Sequence, residues 1–363
     1  MVAVGHDPAT KLRVYADRTH YVESERKALN DILKATWNKG TVEQRRAIHG
    51  ALVDSFDIVD SPDAADIHLL TMKWQYYVDH DRVDSVRRAV DVARRAGRPI
   101  AVFSYGDFDA NFPISGQDIH LFQAAGHRSR DHVRNHGIAP FFDDPLAGGA
   151  VQLRDKGRRP VVGFCGQAGS SLGRHAARYA RMRLRRLRWR LGRDRWEPTE
   201  LEHTWLRRRI LDAFANSPQI ESQFVLRTHY RAGVHGADRS DPAQQSRREF
   251  LDNLRDTDYT VCVRGGGNFS VRFYEALATG RMPVFIDTDC ILPYAEKVDW
   301  RHYAAWVDEG EAMRAPEVLS RFHDRLSPSE FRERQLECRR LWETRLSPNG
   351  YYAHFHEHFH ELA

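Results

Sequence analysis

Two periods of apolar and polar positions alternate along the chain, and the switches between them lay out its elements. Leu12–Ala16 is a short strand-like run and Glu23–Thr36 is apolar at helical spacing. Ile67–Met72 is a strand, Arg82–Arg95 a helix closed by Gly97, and Ile100–Phe103 another strand. Strand and helix taking turns predicts a parallel, doubly wound α/β sheet. Loops after such strands face the ligand side, which selects Asp17–Tyr21, Lys73–Tyr77 and Ser104–Phe112.

A polar, proline- and glycine-bearing interruption follows, Phe141-Phe-Asp-Asp-Pro-Leu-Ala-Gly-Gly and then Lys156-Gly-Arg-Arg-Pro160, and predicts a domain boundary near residue 150. Beyond it Val161–Cys165 is a strand running into Gly166-Gln-Ala-Gly169. Phe224–Arg227 is another, running into Thr228-His229. The strongest pattern lies at 259–287. Tyr259–Val263 is a strand, Gly265–Gly267 a turn, and Ser270–Thr279 a helix with Val271, Tyr274, Leu277 and Ala278 on its apolar side. Gly280 stops it, and Pro283–Ile286 is the next strand.

Three successive glycines let backbone N–H groups face outward, and the start of the following helix adds its positive end, so the turn attracts phosphate. Arg264 and Arg272 add permanent charge that can grip phosphate oxygens in a fork. Glu275, on the polar side with Asn268 and Thr279, is placed to accept hydrogen bonds from ribose hydroxyls. A surface ion pair with Arg272, worth about 0.3 kcal/mol, is the plainer use of the same residues.

The run Asp258-Tyr-Thr-Val-Cys-Val-Arg-Gly-Gly-Gly-Asn-Phe-Ser-Val-Arg-Phe-Tyr-Glu-Ala-Leu-Ala-Thr-Gly-Arg-Met-Pro-Val-Phe-Ile-Asp, with Leu292-Pro293 after it and Phe250-Leu-Asp-Asn-Leu before it, resembles the hallmark segment of the exostosin-like glycosyltransferases. The resemblance is specific over about residues 247–294. It implies a GT-B enzyme, two Rossmann-like doubly wound domains facing across a cleft, that transfers a sugar with inversion from a nucleotide donor, a UDP-sugar, to a saccharide or lipid-linked glycan. It implies no metal or other cofactor. Arg264, Ser270, Arg272 and Glu275 carry over as donor-binding positions, and Gly265, Gly266 and Asn268 join them from the turn. Gly166, Arg227 and His229, at the ends of the other strands of that half, are expected to approach the donor. The expected division is 1–150 for the acceptor side, 151–340 for the nucleotide-sugar side, and 341–363 for a helix crossing back. Inversion needs a base for the acceptor hydroxyl, and the first-half loops offer Asp107, His20 and Asp109, with Asp107 ranked first because its loop follows the cleanest strand.

Length and composition add bounds. The 363 residues fit two domains, and 41% hydrophobic with 29% charged content is that of a globular protein. A net charge of +5 suits an anionic substrate without requiring a nucleic-acid partner, and none is expected. Cys165, Cys262, Cys290 and Cys338 show no paired spacing and read as reduced. The start lacks a signal-peptide pattern and no segment is apolar enough to span a bilayer, so a bacterial, cytoplasmic protein is expected.

Leu172–Arg195 holds ten arginines and one aspartate, with Leu184, Leu187 and Leu191 at helical spacing. It reads either as a helix packing its leucines on its own domain or as a peripheral contact with the inner membrane. Asp287 with Asp289, and His354 with His358, raise metal readings that a turn and a packed C-terminal helix explain without metal. Two other functions compete. Gly265-x-Gly267-x-x-Ser270 with Asp287 approximates an NAD(P) fingerprint, although serine replaces the third glycine. A non-catalytic nucleic-acid or membrane binder would use the arginine helix alone.

Overall fold

The computed structural model describes residues 11–37, 40–168, 172–198, 204–227 and 241–359. Among these, two all-parallel sheets form. The first contains β1 (Leu12–Tyr15), β2 (Phe56–Val59), β3 (Ile67–Leu69), β4 (Ile100–Ser104), β5 (Gly116–Gln123) and β6 (Val133–Gly137), in the order β2-β1-β3-β4-β5-β6. The second contains β7 (Val161–Gln167), β8 (Glu221–Arg227), β9 (Tyr259–Cys262), β10 (Met282–Asp287) and β11 (Ala305–Asp308), in the order β11-β10-β9-β7-β8. Both sheets repeat one winding, in which the second strand lies outside the first and the third reverses direction across the sheet. Each therefore has a switch point, between β1 and β3 and between β7 and β9, where open α/β sheets leave a ligand crevice. The chain thus has the two parallel α/β sheets that the resemblance leads one to expect.

Sequence patterning missed β2, β5, β6 and β11. β5 and β6 carry His120, Gln123, Asn135 and His136, residues that break an apolar pattern. They are accommodated because they satisfy one another across the strands. The Gln123 amide donates to Asn135 Oδ1 at 2.9 Å, and the His136 and His120 rings are hydrogen-bonded at 3.0 Å. The single helix expected over Glu23–Thr36 is broken into a 3-10 turn, Glu23–Ala28, and a helix, Asp31–Trp37. Leu29 leaves the helical path to bridge Met72, and the Asn30 side chain accepts from Ile32 N. Lys73–Tyr77 is no loop, since Trp74–Asp79 is helical.

The tail is likewise not one helix. Pro328–Leu341 runs into a π turn, Trp342–Leu346, then a short helix Pro348–Ala353 and a 3-10 turn Phe355–His358. Its Tyr351, Tyr352, Phe355 and Phe359 belong to the core of the first sheet. His354 bonds Glu357 and His358 is stacked on Tyr294 at 4.7 Å, so the two histidines do not face one another as a metal pair. All four cysteines are free and buried.

His358 also meets His136 ring-to-ring at 4.6 Å, completing a cluster with His120. Burial holds His120 down at about 3 and His136 at about 4, with neighbouring positive charge adding to the effect, and lowers His358 as well. A histidine depressed in the folded state is neutral there while the unfolded chain takes up a proton below about 6.5. The stability it confers is complete above that value and is lost as pH falls toward 4, at up to about 1.4 kcal/mol per pH unit for each histidine. Thermal melts from pH 7 to 4 are expected to show this decline, and His136→Phe to flatten it. A wild-type melting temperature that stays level over that range would refute it.

Candidate functional site

β9 delivers the chain to the turn Arg264–Phe269, and the helix Val271–Ala278 leaves it. Strand and helix form because Tyr259–Cys262 is buried throughout and Phe273, Tyr274, Leu277 and Ala278 fill the core side. The turn closes on itself through Gly265 N–H to Phe269 O at 3.2 Å, and Ser270 caps the helix in an extended conformation. Gly265 opens onto empty space, whereas a Cβ on Gly266 would lie 3.1 Å from Asp107 Oδ2 and one on Gly267 would lie 2.9 Å from Asp107 Cα. Gly266 and Gly267 therefore face the close approach of Asp107, with the Phe269 ring also 2.7 Å from a Cβ on Gly267, and neither needs a left-handed backbone.

Asp107 stands in the loop after β4, so the two sheets meet at this point. It stays more than a third exposed, yet the protein atoms crowding it raise its carboxyl above the usual range. The contact is held by a latch from β10 to the 126–130 loop. Asn268 Nδ2 donates to Gly126 O at 3.0 Å and Asp289 O at 3.1 Å, while its Oδ1 accepts from Thr288 at 2.7 Å. Arg128 reaches Asp287 Oδ2 at 2.9 Å, and Ser129 Oγ donates to Asp289 Oδ2 at 2.6 Å. Both aspartates are thus spent on joining the domains. Among the described residues no cluster of three or more histidine, cysteine or acidic side chains could hold a metal ion.

On the other side of the turn lies the β7/β9 switch point. Arg272 Nη2 donates to Cys165 O at 2.9 Å, and its guanidinium lies 4.3 Å from the Phe164 ring centroid. A Cβ on Gly166 would sit 2.6 Å from that Nη2, and Gly166 has φ +157°, so both space and backbone favour glycine there. The Arg272 Nε–H is buried with no hydrogen-bond partner among the described residues, a donor left over for a ligand. Glu275 pairs with Arg247 at 2.8 Å rather than with Arg272, and remains 12% exposed beside the turn. Arg264 is buried, and its carbonyl accepts from Arg207 Nη2 at 2.7 Å.

Sequence reading missed Arg207. It also donates to Gln167 O at 2.8 Å and so ties the ends of β7 and β9 together. Its signal was present, since Arg207 occupies a position in the stripe with Ile210, Leu211 and Phe214, all buried. An arginine on such a stripe must be satisfied by fixed carbonyls.

The remaining candidates are placed elsewhere. Arg227 is bound to Ser246 O at 3.0 Å and Glu249 at 2.8 Å. His229 lies outside the described residues. Asp109 accepts from His127 and from Asn111 N–H and faces Arg130 at 3.3 Å. Burial opposes its ionisation, but these partners outweigh it and lower its pKa. His20 is hydrogen-bonded to the Tyr77 hydroxyl at 3.0 Å in a cavity of about 590 Å³ lined by first-domain residues alone. Burial, aided by Arg88 and Arg82 and opposed by Asp17, lowers its pKa.

Residues 198–322 match the family model described as Exostosin GT47 domain. Exostosin-1 of Drosophila melanogaster is 31% identical over 79 residues, 22% of this chain and 10% of that protein. The Exostosin-1 homolog of Caenorhabditis elegans is 35% identical over 79 residues, 22% of this chain and 21% of its own length. The match thus covers only about a tenth and about a fifth of the length of these two curated relatives. Among solved structures, an O-GlcNAc transferase mutant of Thermobaculum terrenum aligns with 98% of this chain and 68% of its own, at 14% identity and a TM-score of 0.37.

Proposed function

We propose that this chain, which carries an exostosin GT47 domain over residues 198–322, is an inverting glycosyltransferase. It moves a sugar from a nucleoside-diphosphate donor, a UDP-sugar in the first instance, to a hydroxyl of a saccharide or lipid-linked glycan. The observation that carries this reading is the placing of the Asp107 carboxyl, raised in pKa, against the Gly266–Gly267 turn at the mouth of the β7/β9 crevice. A base and a phosphate-attracting turn then flank one space.

In the proposed step the diphosphate lies at the turn, where the helix start and Arg272 meet its growing negative charge. Glu275 holds the ribose. The acceptor oxygen forms a bond to the anomeric carbon as the bond to the diphosphate breaks. Its proton passes to Asp107 and the bonding pair leaves with the diphosphate. An approaching diphosphate would raise the Asp107 pKa further by like charge, which strengthens it as a base. The hydride-transfer alternative is disfavoured by Asp287. It would have to bind a ribose, but its oxygens already accept from Arg128 and from Cys290 N–H at 3.1 Å.

Thermal shift against UDP, GDP, TDP, CMP, NAD and NADP, with and without EDTA, tests the proposal. One nucleoside diphosphate at about a hundred times its Kd should stabilise the fold by about 2.7 kcal/mol, a rise of several degrees. EDTA should leave that rise intact, and Arg272→Ala should abolish most of it. A rise with NAD or NADP alone would sink the glycosyltransferase reading.

A further inference from the structure

The helix Leu172–Arg190 was open to two readings, and its packing separates them. Leu184, Leu187 and Leu191 are 59%, 53% and 60% exposed, so they do not pack on the protein. With 3.6 residues per turn they share one stripe with the exposed Ala180. Arg181 and Arg188 border that stripe on one side and Arg183 and Arg190 on the other, all exposed. The half-buried Met182, Arg186 and Trp189 lie on the opposite side of the helix. Arg186 is held there by Glu197 at 3.4 Å. Arg181, Arg183, Arg185 and Arg190 have no carboxylate partner among the described residues.

We propose that this helix docks the protein on an anionic lipid surface. Its leucines enter the headgroup boundary and the bordering arginines meet lipid phosphates. An apolar stripe flanked by cations is the arrangement that lies in such an interface. Nucleic acid would use the charge but gains little from three exposed leucines.

The helix is also fixed relative to the cleft. Trp196, just beyond it, stacks on Phe108 at 5.8 Å and donates to Asp79 Oδ1 at 2.9 Å, and Arg130 reaches Glu197 at 3.2 Å. Phe108 is the neighbour of Asp107. Docking is independent of sugar transfer. Where the proposed transfer holds, docking favours the lipid-linked class of acceptor.

Flotation of the full chain with vesicles tests this without any turnover assay. Vesicles of equal parts phosphatidylcholine and phosphatidylglycerol should carry the protein, and phosphatidylcholine alone should not. The triple variant Leu184→Ser, Leu187→Ser, Leu191→Ser, with an unchanged melt, should bind on the order of tenfold more weakly. Arg181→Gln with Arg183→Gln should weaken binding and its salt dependence. Four results would overturn the proposal. These are no binding by the wild type, undiminished binding by the leucine variant, tighter binding to duplex DNA at the same salt, or a wild-type dimer that the leucine variant makes monomeric.

Discussion

Asp107→Asn is expected to lower kcat by about 10²–10⁴-fold, the usual contribution of a positioned base, while tightening the binding of the nucleoside diphosphate. The first effect follows because an amide cannot take the acceptor proton. The second follows from geometry: Asp107 Oδ2 stands where a Cβ on Gly266 would meet it at 3.1 Å. A diphosphate drawn to the turn must therefore approach a like charge, and removing that charge should lower Kd by about fivefold or more. A residue that merely shaped the loop would not split the two constants in opposite directions. The raised carboxyl adds a pH signature, since the acidic limb of kcat/KM should lie above the ordinary carboxylate value and vanish in the variant. Calorimetry and steady-state kinetics decide the matter. Normal turnover moves the base elsewhere, and joint loss of turnover and donor binding makes Asp107 structural.

Arg281→Met is expected to destabilise the second domain by about 3–5 kcal/mol. Arg281 is 1% exposed, and its guanidinium donates to Leu254 O, Arg255 O, Gly280 O, Gln152 O and Gln335 Oε1 at 2.8–3.2 Å. One side chain thus joins the helix Asp241–Asp256, the entry to β10, the segment leading into β7 and the helix Pro328–Leu341. Burial lowers its pKa to about 10, with Arg154 adding repulsion, so it stays charged at neutral pH. Methionine fills most of the volume but leaves the acceptors unpaired in a dry environment. Lysine keeps the charge but lacks the planar fork, so Arg281→Lys should recover only part of the loss. Denaturant unfolding followed in the second domain checks this. A loss below about 1 kcal/mol would show that water replaces the guanidinium.

The fold class was legible because its evidence is local. Alternating periods, Gly97 and Gly280 after helices, and the apolar strands Ile100–Phe103 and Val161–Cys165 each obey rules that act over a few residues. β5 and β6 were not, because His120, Gln123, Asn135 and His136 are stabilised by partners on the neighbouring strand. In the site, the strand, glycine turn and helix at 259–279 could be drawn from the chain, along with the cations beside them.

What those cations touch was decided only in three dimensions. Arg272 and Glu275 are neighbours on a helix, yet one is drawn to Cys165 O and the Phe164 ring and the other to Arg247, on segments far away in sequence. Asn268, polar and next to the turn, looked like a ligand and is instead buried in the joint between domains. The leucines at 184, 187 and 191, whose spacing suited either packing on the domain or a membrane contact, are exposed. Helical spacing sets which side chains share a face, and composition sets their charge. Whether that face meets protein, ligand or solvent depends on long-range packing, where burial and satisfied hydrogen bonds outweigh any preference encoded nearby.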